Sequence, residues 1–297
     1  MSSFTAVDLS RLPMPEVIEQ IDYETLLAAM RAALQARLPG FDAWLESDPI
    51  VKLLEVAAYR EMGLRQQFND RARSVMLAYA LGGADLDHLG ALFGVKRRLL
   101  DSGDPAKQQP ARYESDVDFR RRITLAPERF SVAGPEGAYI YHALGAHADV
   151  LDTSVASPQP GQVQVHVLSR HGDGSADTAL LTAVNSALNA DHVRPLTDYV
   201  TVASAQIVAY DIEASITTYA GPDASVVLAQ SQQRAQRYAA ANHRLGRDVT
   251  RSALFAALHS EGVQRVILHQ PVTDLLLNRQ QAAFCTGITL NYAGTDE

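Results

Sequence analysis

Residues 46–95 read ESDPIVKLLEVAAYREMGLRQQFNDRARSVMLAYALGGADLDHLGALFGV, a dense run of helix signals with little chemistry displayed on it. Asp48 is placed to accept hydrogen bonds from the first backbone N–H groups of a helix, and Pro49 suits the first helical position. Ile50, Leu53, Leu54, Ala57, Ala58 and Met62 then recur at helical spacing, forming an apolar stripe that a core or a partner must cover. Lys52, Glu55, Arg60, Glu61 and Arg65 fall on the other face, with Glu61 one turn before Arg65 in the order that favours an ion pair. The helix is expected to run to about Ala80 and end at Gly82-Gly83. Asp85 is then expected to cap a short helix from Leu86 to Phe93, closed by Gly94.

On the N-terminal side, 1–20 reads as an extended arm, with Pro13 and Pro15 breaking any regular pattern. A first helix is expected from Ile21 to Leu38, stopping at Pro39-Gly40, with Leu26, Leu27, Met30, Ala33, Leu34 and Leu38 on its stripe. A short helix around Phe41 to Leu45 leads into Asp48-Pro49. The helical region therefore spans 21–95. Residues 96–133 are turn-rich and read as a linker carrying one short helix, Asp116 to Leu125, with Gly103, Asp104 and Pro105 as hinge candidates. Beyond Pro135 helices alternate with strands, the clearest strand being Gln162 to Ser169, where Val163, Val165 and Val167 alternate with other residues. The expected order is helix 136–146, strands 149–157 and 162–169, helix 176–189, strands 199–204 and 206–218, helices 224–243 and 250–260, then strands 263–270 and 286–292. The fold class is α+β: an all-helical N-terminal region followed by two small subdomains, 134–205 and 206–297. A faint duplication relates Pro135–Pro158 to Val249–Pro271, with Ile288, Leu290 and Tyr292 matching Val163, Val165 and Val167.

The 297 residues suffice for two or three cores, and 47% of them are hydrophobic. Twenty-six basic against 34 acidic side chains give a net charge of −8, which argues against a broad grip on nucleic acid or an anionic membrane. The Arg120-Arg121-Arg122 cluster sits among Asp116, Asp118 and Glu128, so ion pairing is preferred there to phosphate binding. A single cysteine, Cys285, makes no intramolecular disulfide and reads as a buried thiol in a reducing compartment. The first eleven residues lack the pattern of a signal peptide, and no stretch has the length of a membrane span.

Asp85, Asp87 and His88 are the most site-like cluster, since carboxylates and imidazole bind metals, but cap and first-turn positions explain both aspartates. His142 and His147 are five apart, the wrong spacing for a chelating pair on a helix, and His166 and His171 are expected to be exposed. Gly82-Gly83 and Gly172-Asp173-Gly174-Ser175 lack the residues of a phosphate loop, and Ser154, Ser157 and Ser169 lack a nucleophile elbow. No catalytic residue, metal ligand or cofactor is assigned. Surfaces remain: Leu27, Met30, Leu34, Leu54, Ala58, Tyr59, Met62 and Tyr79 are the interface candidates, with Tyr59, Tyr79 and Met62 as first anchors.

The order and spacing of Glu46-Ser47-Asp48-Pro49, Leu53-Leu54-Glu55, Ala58-Tyr59-Arg60-Glu61, Asn69-Asp70, Leu77-Ala78-Tyr79-Ala80 and Asp85-Leu86-Asp87-His88-Leu89 through Gly94-Val95 resemble the Baseplate J family. These are wedge proteins of contractile-tailed phages and of tailocins such as the R-type pyocins. The likeness continues through Ala133-Gly134-Pro135-Glu136 and Val193-Arg194-Pro195-Leu196-Thr197-Asp198. The resemblance implies a structural baseplate wedge subunit, assembled in the bacterial cytoplasm and resident in the tail baseplate. It also implies a helical part bundled with another wedge protein and an α/β part contacting further copies in a ring around the central spike hub. The expected mechanism is conformational, releasing the sheath to contract, with no nucleic acid, membrane, small-molecule substrate or enzymatic turnover. The rivals are a wedge or adaptor protein of a related injection or secretion system and a metal-dependent hydrolase using Asp85, Asp87 and His88.

Overall fold

The computed structural model describes residues 9, 12–13, 15–41, 44–80, 82–131, 134–221 and 223–296. Most of the arm expected at 1–20 therefore lies outside the described residues. The chain divides into two compact units, one formed by 7–97 with 114–124, the other by 98–113 with 125–297.

The first unit is helical. Its elements are α1 (Tyr23–Arg37), α2 (Pro49–Ser74), α3 (Gly83–Leu92) and α4 (Asp116–Leu125), the last contributing through Thr124. Asp22 caps α1 by accepting from the Thr25 N–H at 2.8 Å, and Asp48 caps α2 by accepting from the Ile50 N–H at 2.8 Å. The expected ion pair holds, with Glu61 and Arg65 2.7 Å apart. Three expectations fail. α2 ends at Ser74 instead of running to about Ala80, the chain passing into turns from Val75. Phe41, Trp44 and Leu45 are not helical, Asp42 and Ala43 being outside the described residues. The cap of α3 is Gly82, at φ 122°, so Asp85 falls in the first turn. The reason is steric: a side chain at Gly82 would collide with Asp116, and the chain turns into the helix three residues earlier than a side-chain cap at Asp85 allows.

Leu86, Phe119 and Ile123 fill the interior beside α3 and α4. Gly90, inside α3, is the point of closest approach, since a Cβ there would meet the Phe119 ring at 2.5 Å and the Val95 carbonyl at 2.8 Å. Arg120 donates to the carbonyls of Leu77 and Ala80, in the turn that follows α2. Arg122 pairs with the buried Glu114, and Arg97 bridges Asp87 at 2.8 Å and Asp116 at 2.7 Å. The arginine cluster thus works inside the protein.

The second unit begins with a small hairpin, β1 (Leu99–Asp101) and β2 (Arg112–Tyr113). Gly103, Asp104 and Pro105 form its tip, where Asp104 and Gln109 exchange two backbone hydrogen bonds of 3.0 Å. The boundaries between the units fall at 97/98, 113/114 and 124/125.

Two mixed three-stranded sheets follow. In the first, α5 (Glu136–Ala146) and α6 (Thr178–Leu188) cover β3 (Val150–Ala156), β4 (Gln162–Ser169) and β5 (Tyr199–Ser204), with β4 central, antiparallel to β3 and parallel to β5. Val163, Val165 and Val167 point into the helices beside Ile140, Leu144, Val184 and Leu188. The second sheet holds β6 (Gln206–Tyr219) between β7 (Val263–Gln270) and β8 (Gln281–Asp296), with α7 (Ala224–Asn242) and α8 (Arg251–Leu258) on the face that carries Tyr210, Ile212 and Ala214.

The duplication is not preserved in the pairing. In the first sheet β3 and β4 are direct neighbours, whereas their supposed counterparts β7 and β8 are separated by β6. Val165 and Val167 are fully buried in a central strand, while Ile288, Leu290 and Tyr292 lie on an edge strand. A helix-turn-strand order is local, and nothing local tells which strand the next one will join.

The two sheets share one strand path. Ala205 alone separates β5 from β6; its N–H donates to the Val167 carbonyl at 2.8 Å, and the next N–H, of Gln206, donates to Gln280 at 2.8 Å. Leu168, Ala205 and Ala282 make a common core there. Asp152 accepts from the Leu245 N–H at 3.0 Å and Ser154 donates to the Arg279 carbonyl at 2.6 Å, fastening the sheets further. His166, expected to be exposed, is buried on β4, because that face of the sheet is covered by the second sheet instead of by water.

Two expected outcomes follow from this packing. Gly90→Ala, a change that favours most helices, should lower the urea-derived stability by about 1–3 kcal/mol. Burial holds the His142 and His166 imidazoles below their ordinary 6.5, with His192 adding to the effect at His142. The unfolded chain then binds more protons than the folded one, so stability is complete above 6.5 and declines as the pH falls below it. His166→Leu should flatten that decline in chemical-denaturation curves measured from about pH 7 to pH 5.

Candidate partner-binding surface

α2 is 26 residues long, and its apolar side chains occupy two sides of the cylinder. Val51, Leu54, Ala58, Met62 and Asn69, spaced by three, four, four and seven residues, lose most of their exposure, and α1 packs against the helix. Asn69 is a polar member of the buried set and is fully used: its amide oxygen accepts from the Glu19 N–H at 3.1 Å and its amide nitrogen donates to the Glu19 carbonyl at 2.8 Å. This pins the chain entering α1 onto α2. Arg65 adds an exposed ion pair to Glu19 at 3.0 Å.

Ile50, Leu53, Ala57, Leu64 and Phe68, spaced by three, four, seven and four residues, form the other side and remain in water. Leu53 is 69%, Leu64 65% and Phe68 55% exposed; Val56 at 58% and Tyr59 at 66% are exposed elsewhere around the helix, Tyr59 lying half a turn of the cylinder from Phe68. Arg60 and Arg71 lie along the same side, also exposed. Aromatic, aliphatic and arginine side chains on one rigid surface are the composition of an interface core.

The interface candidates read from the sequence separate accordingly. Leu27 and Ala58 are buried, Met30, Leu34, Leu54, Met62 and Tyr79 are half-buried, and Tyr59 is exposed but half a turn around the helix from Phe68. The stripe Ile50, Leu53, Leu54, Ala57, Ala58, Met62 is thus two half-stripes that share a boundary. Leu64 and Phe68 were not among those candidates, although a second helical period, offset from the first and continuing past Met62, marks them.

The rival chemical sites do not assemble. Asp87 is committed to Arg97, Asp85 and His88 are exposed, and among the described residues no group of three His, Cys, Asp or Glu side chains is arranged to hold a metal ion. Asp149 lies between His171 at 2.9 Å and His147 at 3.5 Å on the surface. Cys285 is half-buried, and burial raises its thiol above the ordinary value, the opposite of nucleophilic activation.

In the second unit a cleft of about 250 Å³ is lined by Gly134, Glu136, Tyr139, Val155, Ser157 and Arg279, among others. Its polar groups are occupied structurally: the Tyr139 hydroxyl donates to Asp198 at 2.8 Å, Ser157 donates to the Gln159 carbonyl at 3.0 Å, and Arg279 lies 3.6 Å from Glu136. Burial first, then the Asp198 charge, raises the Tyr139 phenol. Gly134, at φ 73°, leaves room for Asp198 and Pro195, each 2.8 Å from where a Cβ would stand. The segments around Gly134-Pro135 and Pro195–Asp198 are therefore brought together by a backbone turn and a buried phenol.

Comparison with known proteins places these features in a series. Family models described as the Baseplate J-like N-terminal domain, central domain and C-terminal domain match residues 46–104, 131–204 and 210–291. The Escherichia phage P2 protein named Baseplate protein J is 46% identical over 300 residues, covering 98% of this chain and 99% of that protein. A chain of the anti-feeding prophage baseplate, 16% identical, aligns over 60% of this chain and 42% of that one with a TM-score of 0.40, a likeness too slight to argue from.

If the second side of α2 is an interface and not part of the interior, Leu64→Ser and Phe68→Ser should each change the folding stability of the isolated chain by less than about 0.5 kcal/mol. Val51→Ala on the buried side should cost about 2 kcal/mol in the same denaturation assay.

Proposed function

The chain belongs to the Baseplate J family, and on that premise we propose how it works: it is a structural subunit of the baseplate wedge of a contractile tail, seated by neighbours that cover the exposed side of α2. The relative from phage P2 supports the assignment because the identity extends over both chains nearly end to end. The observation that carries the molecular part of the reading is the second apolar side of a well-capped, 26-residue helix. Each of its large apolar side chains releases roughly 1.5–3 kcal/mol when fully buried, so a partner helix laid along it gains several kcal/mol against the cost of association.

The partner is an amphipathic helix of another wedge protein, carrying acidic side chains where it passes Arg60 and Arg71. The second unit makes contacts to further copies of the chain in a ring around the spike hub. Its single strand path through two sheets suits it to pass on displacement as a stiff body. Triggering is a rearrangement of interfaces between two arrangements, leading to sheath contraction, and no substrate is turned over.

A phage deleted for this gene and complemented in trans tests the reading. Wild-type chain should restore plaques, whereas Leu64→Lys with Phe68→Lys should not, although the purified variant keeps the wild-type circular dichroism. Full plaque formation by the double variant would refute the role given to α2. Alanine at Asp85, Asp87 and His88 together should leave plaque formation intact.

A further inference from the structure

β8 is an edge strand whose two halves are treated differently. Along its first half, backbone carbonyls that face away from β6 are taken by groups outside the strand. The Gly246 N–H donates to Gln281 at 2.8 Å, His243 Nδ1 lies 2.7 Å from the Ala283 oxygen, and Gln232 Nε2 donates to Ile288 at 3.3 Å. From Thr289 to Thr295, among the described residues, no group outside the sheet reaches the backbone, though the strand is paired with β6 through Tyr292 and again at Thr295, the register shifting between them. Alternation from Ile288 turns the N–H and C=O groups of Leu290 and Tyr292 outward.

The bare half also lacks the usual protection of an edge. Residues 280–295 contain no Asp, Glu, Lys, Arg or Pro, although exposed edges are commonly blunted by charge or proline. The opposite edge of the same sheet is defended: β7 carries Arg265 and His269, and Arg251 donates to the carbonyls of Leu268 and Pro271. Tyr292 stands 48% exposed beside the bare edge.

We propose that the 289–295 edge of β8 pairs antiparallel with the same edge of a second copy of this chain, joining two three-stranded sheets into one of six strands. The occupant follows from charge and from symmetry. An uncharged edge meets its own twofold image without like-charge repulsion, which a charged edge cannot do. In the register where Leu290 exchanges hydrogen bonds with Tyr292 of the second copy, each exposed tyrosine packs across from a leucine. Asn291 then opposes its own copy, and Thr289 opposes Ala293. The pairing ends where Gln232 already occupies Ile288. This inference rests on the reading that copies of the chain work side by side, and it specifies one surface for that contact.

The test uses the full chain with Cys285→Ala. Asn291→Cys occupies a position where antiparallel neighbours approach closely, so mild oxidation should give a disulfide-linked dimer about ten-fold faster than Thr289→Cys. Sedimentation equilibrium supplies a second readout: Asn291→Lys should weaken self-association, and mixing it with Asn291→Glu should restore it. Equal crosslinking rates at the two positions, or no restoration on mixing, would overturn the pairing. A chain that behaves so yet still complements the deleted gene leaves the baseplate role standing and removes this contact alone.

Discussion

A single neighbouring helix can cover one side of α2, and α2 is apolar on two. The rest of the helical unit is arranged around that mismatch. α1 takes the side of Val51, Ala58 and Met62, and Asn69 ties the incoming chain to the same side through two hydrogen bonds to Glu19. The second side stays rigid and uncovered. Ion pairs such as Glu61–Arg65 hold the boundary between the two, at an energy too small to matter for folding but enough to keep polar groups at the border. On the proposed function, this uncovered side is the one a neighbouring wedge protein covers.

The second unit answers a different demand. Its two sheets have separate helix-covered cores, but the strand that leaves one enters the other after a single residue, and the face of β4 away from its helices is buried against the next sheet. Asp152 and Ser154 add hydrogen bonds across the same junction. Relative motion of the sheets would break a core and strand pairing together. Displacement applied at one sheet is therefore delivered to the other instead of being absorbed between them.

Helix positions were legible from the sequence because capping and periodicity are local. Asp48-Pro49, Glu61–Arg65 and the valines of β4 all stand as their spacing indicates. What escaped was everything decided by distant chain. Asp85 is displaced from the cap because Gly82 must pass Asp116, and His166 is buried because a second sheet covers β4. The supposed repeat dissolves because β6 inserts between β7 and β8. The apolar stripe of α2 was visible, but its division into core and surface depends on where α1 lies. Asp87 was given a local structural use by its first-turn position, and the structure adds Arg97 as its partner.

Hydroxyl-radical footprinting of the isolated chain beside the purified baseplate addresses the central claim most directly. In the isolated chain Leu53, Leu64 and Phe68 should be oxidised readily, with Ala58 and Val51 inert; in the baseplate all five should be protected. Equal oxidation of Leu64 and Phe68 in both preparations would mean that nothing covers the second side of α2, and the account would fail at its root.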